Sequence, residues 1–368
     1  MFHENLPRKY PFKFRVVIPI FTLTMAQTQR ALFLTSAHQY EISSRAIPKP
    51  SGGQILVKVK SISLNPTDWK VRDLPGMDIM VKKYPIVLGH DAAGDVVELG
   101  EGVTRFSKND RVFFQCAGYI NDDHGAFQEY VTVPAEIASK IPLNLSYNQA
   151  ASISLVLTTA TVGLLAPVPH GAGLSPTFDL SADYTSQSAF VLGGGTSTGQ
   201  FAIQLLKILK FKHIITNSAE EHFDYLRSLG ATDLIDRNKV TDEDLPKVVE
   251  SFAGGKVDAA IDAVGTSATQ TAALACLKDG KHLGTVLFVE REVPKNKSLA
   301  MIWGSTWLDS NREFGKAQWP KLERLFESGT LKPCRLIELT GGLSAIGGGI
   351  EDLKNNKYPG QKIVISMG

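Results

Sequence analysis

The chain has 368 residues, 43% of them hydrophobic and 21% charged, with a formal net charge of +2. That balance suits a globular protein with room for two cores, and without a basic stripe it excludes a nucleic-acid-binding surface. Cys116, Cys276 and Cys334 are too scattered for a paired metal motif and read as reduced thiols of an intracellular, cytoplasmic protein.

Residues 1–25 look foreign to the rest of the chain. Arg8, Lys9, Lys13 and Arg15 precede the apolar residues 16–21, a run too short to cross a bilayer and interrupted by Pro19. They are read as an unstructured or wrongly assigned extension, with a leader peptide as the competing reading, and no membrane association is expected. From 30 to 150, short strand patterns at 30–34, 54–60, 96–103, 111–114 and 128–133 alternate with Gly and Pro. The polar–apolar alternation at 54–60 predicts a half-exposed strand. Residues 148–165, rich in Ala, Leu and Thr, predict one helix leaving this region, and Pro167, Pro169, Gly171, Gly173 and Pro176 mark a long loop.

From Ser188 the pattern changes to alternating strands and helices. Segments 213–217, 220–229, 233–235, 242–252, 257–264, 267–277, 282–288 and 299–303 follow one another, with Gly230 closing a helix. Such βα units imply a doubly wound parallel sheet. The tail, with 319–326 and the strand 362–366, is expected to return to the first region.

The segment 188–210 opens this second region. A charge-free apolar run ends at Leu192, Gly193, Gly194 and Gly195 turn the chain, and Phe201, Leu205, Ile208 and Leu209 then recur at helical spacing. Strand, glycine turn and helix form a site for phosphate on free helix N–H groups. The G-x-G-x-x-G spacing is not met: Gly194 and Gly199 fit it, but Thr196 holds the middle position. An ordinary strand–turn–helix is the alternative.

Over residues 26–368 the chain resembles the medium-chain dehydrogenase/reductase superfamily. The carriers are 65–70 (Asn-Pro-Thr-Asp-Trp-Lys), 88–97, Asp110-Arg111-Val112, 125–131 and the turn 193–199. It is most similar to the zinc-independent quinone oxidoreductase and enoyl reductase branch, including fungal stand-alone enoyl reductases that serve polyketide synthases. The resemblance implies an α/β protein. A GroES-like β-rich catalytic domain (26–155 and 316–368) would join a doubly wound Rossmann nucleotide-binding domain (156–315), with the active site in the cleft between them.

Zinc-dependent relatives hold their catalytic ion with Cys, His and Cys. Here Asn65 stands at the first position and no thiol at 154–156, so His90 is left alone and no metal is expected. His90 is read as a relic hydrogen-bonded inside the β-rich domain. The strand 213–217 ends without the acidic residue that NAD sites use, and Ser218, which can donate to a 2′-phosphate, follows it, so NADPH is the expected cofactor; by resemblance, Arg237 stands where family members put a second phosphate-binding side chain. Glu220 and Glu221 count against this, and His222 stands where relatives often have lysine. A helix-capping Ser218 is the alternative.

By resemblance, Gly194, Gly195, Thr196, Ser197 and Thr198 cradle the phosphates, Asn65 and Thr159 flank the nicotinamide, and Val264 and Leu287 lie at the ends of the fourth and fifth strands. Lys70 is the candidate to stabilise an enolate; an Asp68–Lys70 contact is the structural alternative, as is a backbone bond for Thr159. The chain is thus expected to reduce the C=C bond of α,β-unsaturated carbonyls or enoyl thioesters, as free small molecules or bound to a polyketide synthase or acyl carrier. A quinone oxidoreductase and a non-catalytic NADPH-binding protein are the rivals.

Overall fold

The computed structural model describes residues 27–36, 38–74, 77, 81, 83–289 and 292–368, so the expectation for residues 1–25 lies outside the described residues. In chain order the β-rich lobe opens with β1 (Thr28–Ser36), β2 (Gln39–Ala46), β3 (Gln54–Ser63), α1 (Pro66–Asp73), β4 (Ile86–Val87) and β5 (Asp91–Leu99). It continues through β6 (Arg111–Gln115), β7 (Tyr130–Pro134), β8 (Ala138–Lys140), α2 (Tyr147–Ala151) and α3 (Ser154–Leu165). One sheet has the order β2-β1-β4; in the other β3 is central, pairing with β5 and β7.

The alternation at 54–60 predicts a half-exposed β3, yet only Lys58 is exposed there. Neighbouring strands pair along both its edges and α2 packs on it, which leaves little of the strand in contact with water. The helix expected at 148–165 is two helices. Ser146 caps α2 by accepting from Gln149 N–H, and Ser152 and Ile153 break the path before α3. This apolar stretch, the one among the described residues with the length and hydropathy of a membrane span, is largely buried within the protein.

The second lobe comprises β9 (Ser188–Leu192), α4 (Ser197–Ile208), β10 (His213–Ser218), α5 (Phe223–Leu229), β11 (Asp233–Asp236) and α6 (Leu245–Ala253). It goes on with β12 (Ala259–Asp262), α7 (Ser267–Cys276), β13 (His282–Thr285) and β14 (Ser298–Met301). All pairs are parallel, in the order β11-β10-β9-β12-β13-β14. β9, every residue of it buried, lies where the order reverses, and ligands of doubly wound sheets bind beyond the C-terminal ends at that crevice. Strands β12 and β13 end at Asp262 and Thr285, short of the expected 264 and 288. The released residues form the loops that face the crevice.

The chain then runs through α8 (Asp309–Glu327), β15 (Leu336–Leu339), α9 (Ile346–Lys354) and β16 (Lys362–Ser366). β16 pairs antiparallel with β3, returning the tail to the first lobe.

Candidate active site

Beyond Leu192, Gly193 takes φ +83°, a conformation that side chains resist. Its N–H donates to Asn217 Oδ1 (2.8 Å), and Gly194 N–H donates to the Asn217 carbonyl (3.2 Å), so the end of β10 anchors the turn. A Cβ on Gly194 would stand 2.1 Å from Thr216 Oγ1, and one on Gly199 would stand 2.3 Å from the Gly193 carbonyl. These two glycines bring α4 down onto the strands.

Thr196 is the N-cap of α4, its Oγ1 accepting from Gly199 N–H (3.0 Å). The N–H groups of Gly195, Ser197 and Thr198 have no hydrogen-bond partner among the described residues, and all three residues are partly exposed. Three open donors at the N-terminus of a twelve-residue helix make an anion cradle.

Ser218 ends β10 with its Oγ 2.6 Å from where a Cβ on Gly195 would lie. The turn after it is capped by Ala219 without a side-chain bond, and the Ser218 hydroxyl has no partner among the described residues. The capping alternative is therefore not realised. Arg237 N–H donates to the Ser218 carbonyl (3.0 Å), which sets Arg237 beside it.

Asp262, fully buried, accepts from the N–H groups of Val264 (2.9 Å) and Gly265 (3.0 Å) and from the hydroxyls of Thr269 and Thr285. Burial pushes its carboxyl above the usual range, and these four donors pull it back. The turn so held presents Val264 against Gly193, while Leu287 packs on Gly265.

Across the junction the polar side chains serve one another. Asn65 is fully buried; its Nδ2 donates to Asp91 Oδ2 (2.9 Å) and its Oδ1 accepts from Lys362 Nζ. Asp91 Oδ1 accepts from Leu155 N–H at 2.6 Å, and Lys362 Nζ stands 3.5 Å from Asp91 Oδ2. The first turn of α3 is thereby tied to β16 through a buried acid and a buried base. Asp68 accepts from Asn65 N–H (2.7 Å) and pairs with His90 Nδ1 (3.0 Å), so the Asp68–Lys70 contact does not form.

Lys70 instead lies half-buried, its ammonium 5.7 Å from the centre of the Trp69 ring, with no carboxylate partner among the described residues. Burial lowers its pKa. On α3 only Leu155 and Thr159 escape full burial. Thr159 Oγ1 donates to the Leu155 carbonyl (2.8 Å), the backbone-bonding alternative, and its side chain abuts Gly304. No hydrogen bond joins Lys70 to Thr159 or to Asn65.

The lobes are stapled beside this point. Gln115 donates to the Gly304 carbonyl (2.7 Å) and accepts from Thr306 N–H (3.1 Å), while Tyr119 and Ser305 share a hydrogen bond of 2.9 Å. Half-exposed Ile120 and Trp303 flank it. Zinc does not fit here. Asn65 is committed to Asp91 and Lys362, His90 has only its buried Nε2 uncommitted, and among the described residues no three His, Cys, Asp or Glu side chains gather to hold an ion.

Sequence reasoning placed Gly193 in the turn without its left-handed backbone, and left out Asn217, Asp91 and Lys362. The positive φ of Gly193 follows from its place straight after a buried strand. The others act through partners up to 297 residues away, for which the sequence carries no spacing signal.

Residues 51–143 match the alcohol dehydrogenase GroES-like domain, and 197–328 match the zinc-binding dehydrogenase family. Dehydrogenase azaJ of Aspergillus niger is 31% identical over 87% of this chain and 94% of its own. Trans-enoyl reductase himH of Aspergillus japonicus is 30% identical over 85% and 90%. An alcohol dehydrogenase superfamily structure from Novosphingobium aromaticivorans superposes with a TM-score of 0.76 at 25% identity, covering 92% of this chain and all of that one. Crotonyl-CoA carboxylase/reductase AntE in complex with NADP does so at 0.73 and 17% identity, over 92% and 94%.

Proposed function

Because the chain belongs to the medium-chain dehydrogenase/reductase superfamily, we propose that this oxidoreductase uses NADPH to reduce the C=C bond of an α,β-unsaturated carbonyl or enoyl thioester. One observation carries the reading: three N–H groups stand open at the N-terminus of the switch-point helix, an anion cradle at the crevice where doubly wound sheets bind nucleotides. The trans-enoyl reductase relative supports the substrate class, and the NADP complex of the crotonyl-CoA enzyme supports the cofactor.

When bound, NADPH supplies a hydride. Gly194 and Gly195 would let the cofactor's diphosphate approach the backbone, where the N–H groups of Gly195, Ser197 and Thr198 would bind it, with Thr196 fixing the helix end. Val264, against Gly193, and Leu287, against Gly265, would flank the nicotinamide half. Asn65, locked by Asp91 and Lys362, would fix the wall opposite, and Thr159, which donates its proton to the Leu155 carbonyl, would offer its oxygen as an acceptor. Hydride delivered to Cβ would leave negative charge on the substrate carbonyl, and solvent water would supply the proton at Cα that completes the reduction. Lys70, with no anion to neutralise it, meets that charge at little cost in lost partners. Ile120 and Trp303 suit the apolar part of an acyl chain, free or carrier-bound.

Cofactor consumption with NADPH and NADH side by side, on a crotonyl thioester, an enone and a simple quinone, tests this. The expected outcome is NADPH-dependent turnover led by the thioester or enone. Faster turnover of the quinone would move the assignment to quinone reduction; tight NADPH binding without turnover would make the chain a non-catalytic binding protein.

A further inference from the structure

We infer that Arg335, contributed by the β-rich lobe, recognises the 2′-phosphate of NADPH together with Ser218, His222 and Arg237. This rests on NADPH being the cofactor. The Arg335 guanidinium is stacked on Tyr225, 4.2 Å from the ring centre, which fixes its plane before any ligand arrives. Its Nη2 donates to His222 Nδ1 at 3.2 Å and reaches the Gly360 carbonyl at 3.5 Å, while its buried Nε has no acceptor. It forms no ion pair among the described residues. A guanidinium carries five donors, and a partly desolvated one without an anion is expensive to keep. A ligand with phosphate oxygens would supply what is missing, in the bidentate geometry that arginine favours.

The position selects the 2′-phosphate over the diphosphate. A Cβ on Gly195 would stand 2.6 Å from Ser218 Oγ and 3.2 Å from His222 Cδ2, and one on Gly360 would stand 3.0 Å from His222 Nε2. His222 and Arg335 thus sit on the β10 side of the glycine turn, past the strand end where the adenosine ribose hydroxyls are read. Arg237 follows directly on β11, its N–H donating to the Ser218 carbonyl (3.0 Å).

Of the two acids that argue against NADPH in the sequence, Glu220 is neutralised and Glu221 is open to solvent. Glu220 is paired with Lys239 (2.8 Å), and Glu221, largely exposed, lies 3.6 Å from His222 Nε2. Since Arg335 can only donate, His222 accepts at Nδ1 and holds its proton at Nε2, free to donate in turn. The segment carrying Arg335 is fastened to α4. Gln204 exchanges two bonds with the Lys332 backbone (2.7 and 3.1 Å), and Gln200 donates to the Gly360 carbonyl (3.0 Å). Recognition of the phosphate therefore spans both lobes on preset parts.

Fluorescence titration of the full chain with NADPH and with NADH measures the effect, using wild type, Arg335→Gln and Arg335→Lys, with thermal melting to confirm folding. The expected result is an NADPH preference in the wild type that Arg335→Gln cuts by about 10- to 100-fold, NADH affinity staying within about twofold. Arg335→Lys should recover only part of it. An equal loss for both nucleotides would assign Arg335 to the diphosphate or to folding, and an unchanged ratio would leave it no role; either overturns the inference while NADPH stands. A wild type without NADPH preference would refute the cofactor reading itself.

Discussion

The two faces of the lobe junction use their polar groups in opposite ways. On the nucleotide side, at 193–199 and Ser218, hydrogen-bonding capacity is left open: three N–H groups and one hydroxyl await a ligand. On the β-rich side, at 65–70 and 90–91, capacity is consumed internally. Asn65 binds Asp91 and Lys362 and Asp68 binds His90, whose Nε2 is buried without a partner, and among the charged side chains described there Lys70 alone has no ion pair. The first face is built to be completed by another molecule, the second to stay rigid while presenting one charged group.

The sharpest way to break the open face is steric. Gly199→Val puts branched carbon where a Cβ already meets the Gly193 carbonyl at 2.3 Å, so α4 must leave β9. Nucleotide affinity should fall by more than about 100-fold with a destabilisation of about 3 kcal/mol, read by titration and thermal melting. Wild-type affinity would mean that the close approach is not needed.

The closed face breaks electrostatically. Lys362→Met leaves Asp91 buried without its cation and should cost about 3–5 kcal/mol in denaturant unfolding. Pairing it with Asp91→Leu should recover much of that loss, since an apolar pair of similar size is tolerated in such places.

Next in size is the unpaired group. Lys70→Met should lower kcat by about 100-fold and leave stability within about 0.5 kcal/mol, because it removes no ion pair. A large drop in melting temperature would instead make Lys70 structural. Ser218→Asp should reverse the nucleotide preference, by about tenfold or more, with the same oxyanion that NAD sites use.

The smallest effect is that of pH. Burial, then the charge of Arg335, hold the His222 pKa below its ordinary value, so the unfolded chain binds the extra proton more readily. The contribution of His222 is present above about pH 6.5 and fades as pH falls through the depressed folded value. A His222→Asn chain should melt with a shallower decline below neutrality; an identical decline would place the proton uptake elsewhere.

The same contrast explains what was legible in the sequence. The nucleotide face is local: strand, turn and cap lie within 188–199, and a charge-free run, glycines and threonine at fixed offsets announce them. The doubly wound order followed from alternating patterns, since βα units have few ways to pack. The closed face is assembled from the start of α1, β5, α3 and β16, and nothing near Asn65 says that Lys362 will reach it. Arg335 was invisible for that reason. The break at 152–153 escaped notice because an apolar stretch looks alike as one helix or two.

The central proposition is that NADPH delivers hydride to an activated alkene with side chains alone assisting. The direct measurement is turnover of a crotonyl thioester by chelator-dialysed protein with NADPH deuterated at the transferred position, the product read by mass spectrometry and NMR. Deuterium at Cβ, at a rate unchanged by the dialysis, is the predicted result. Loss of turnover that returns with added Zn²⁺, or product without label at Cβ, would contradict it.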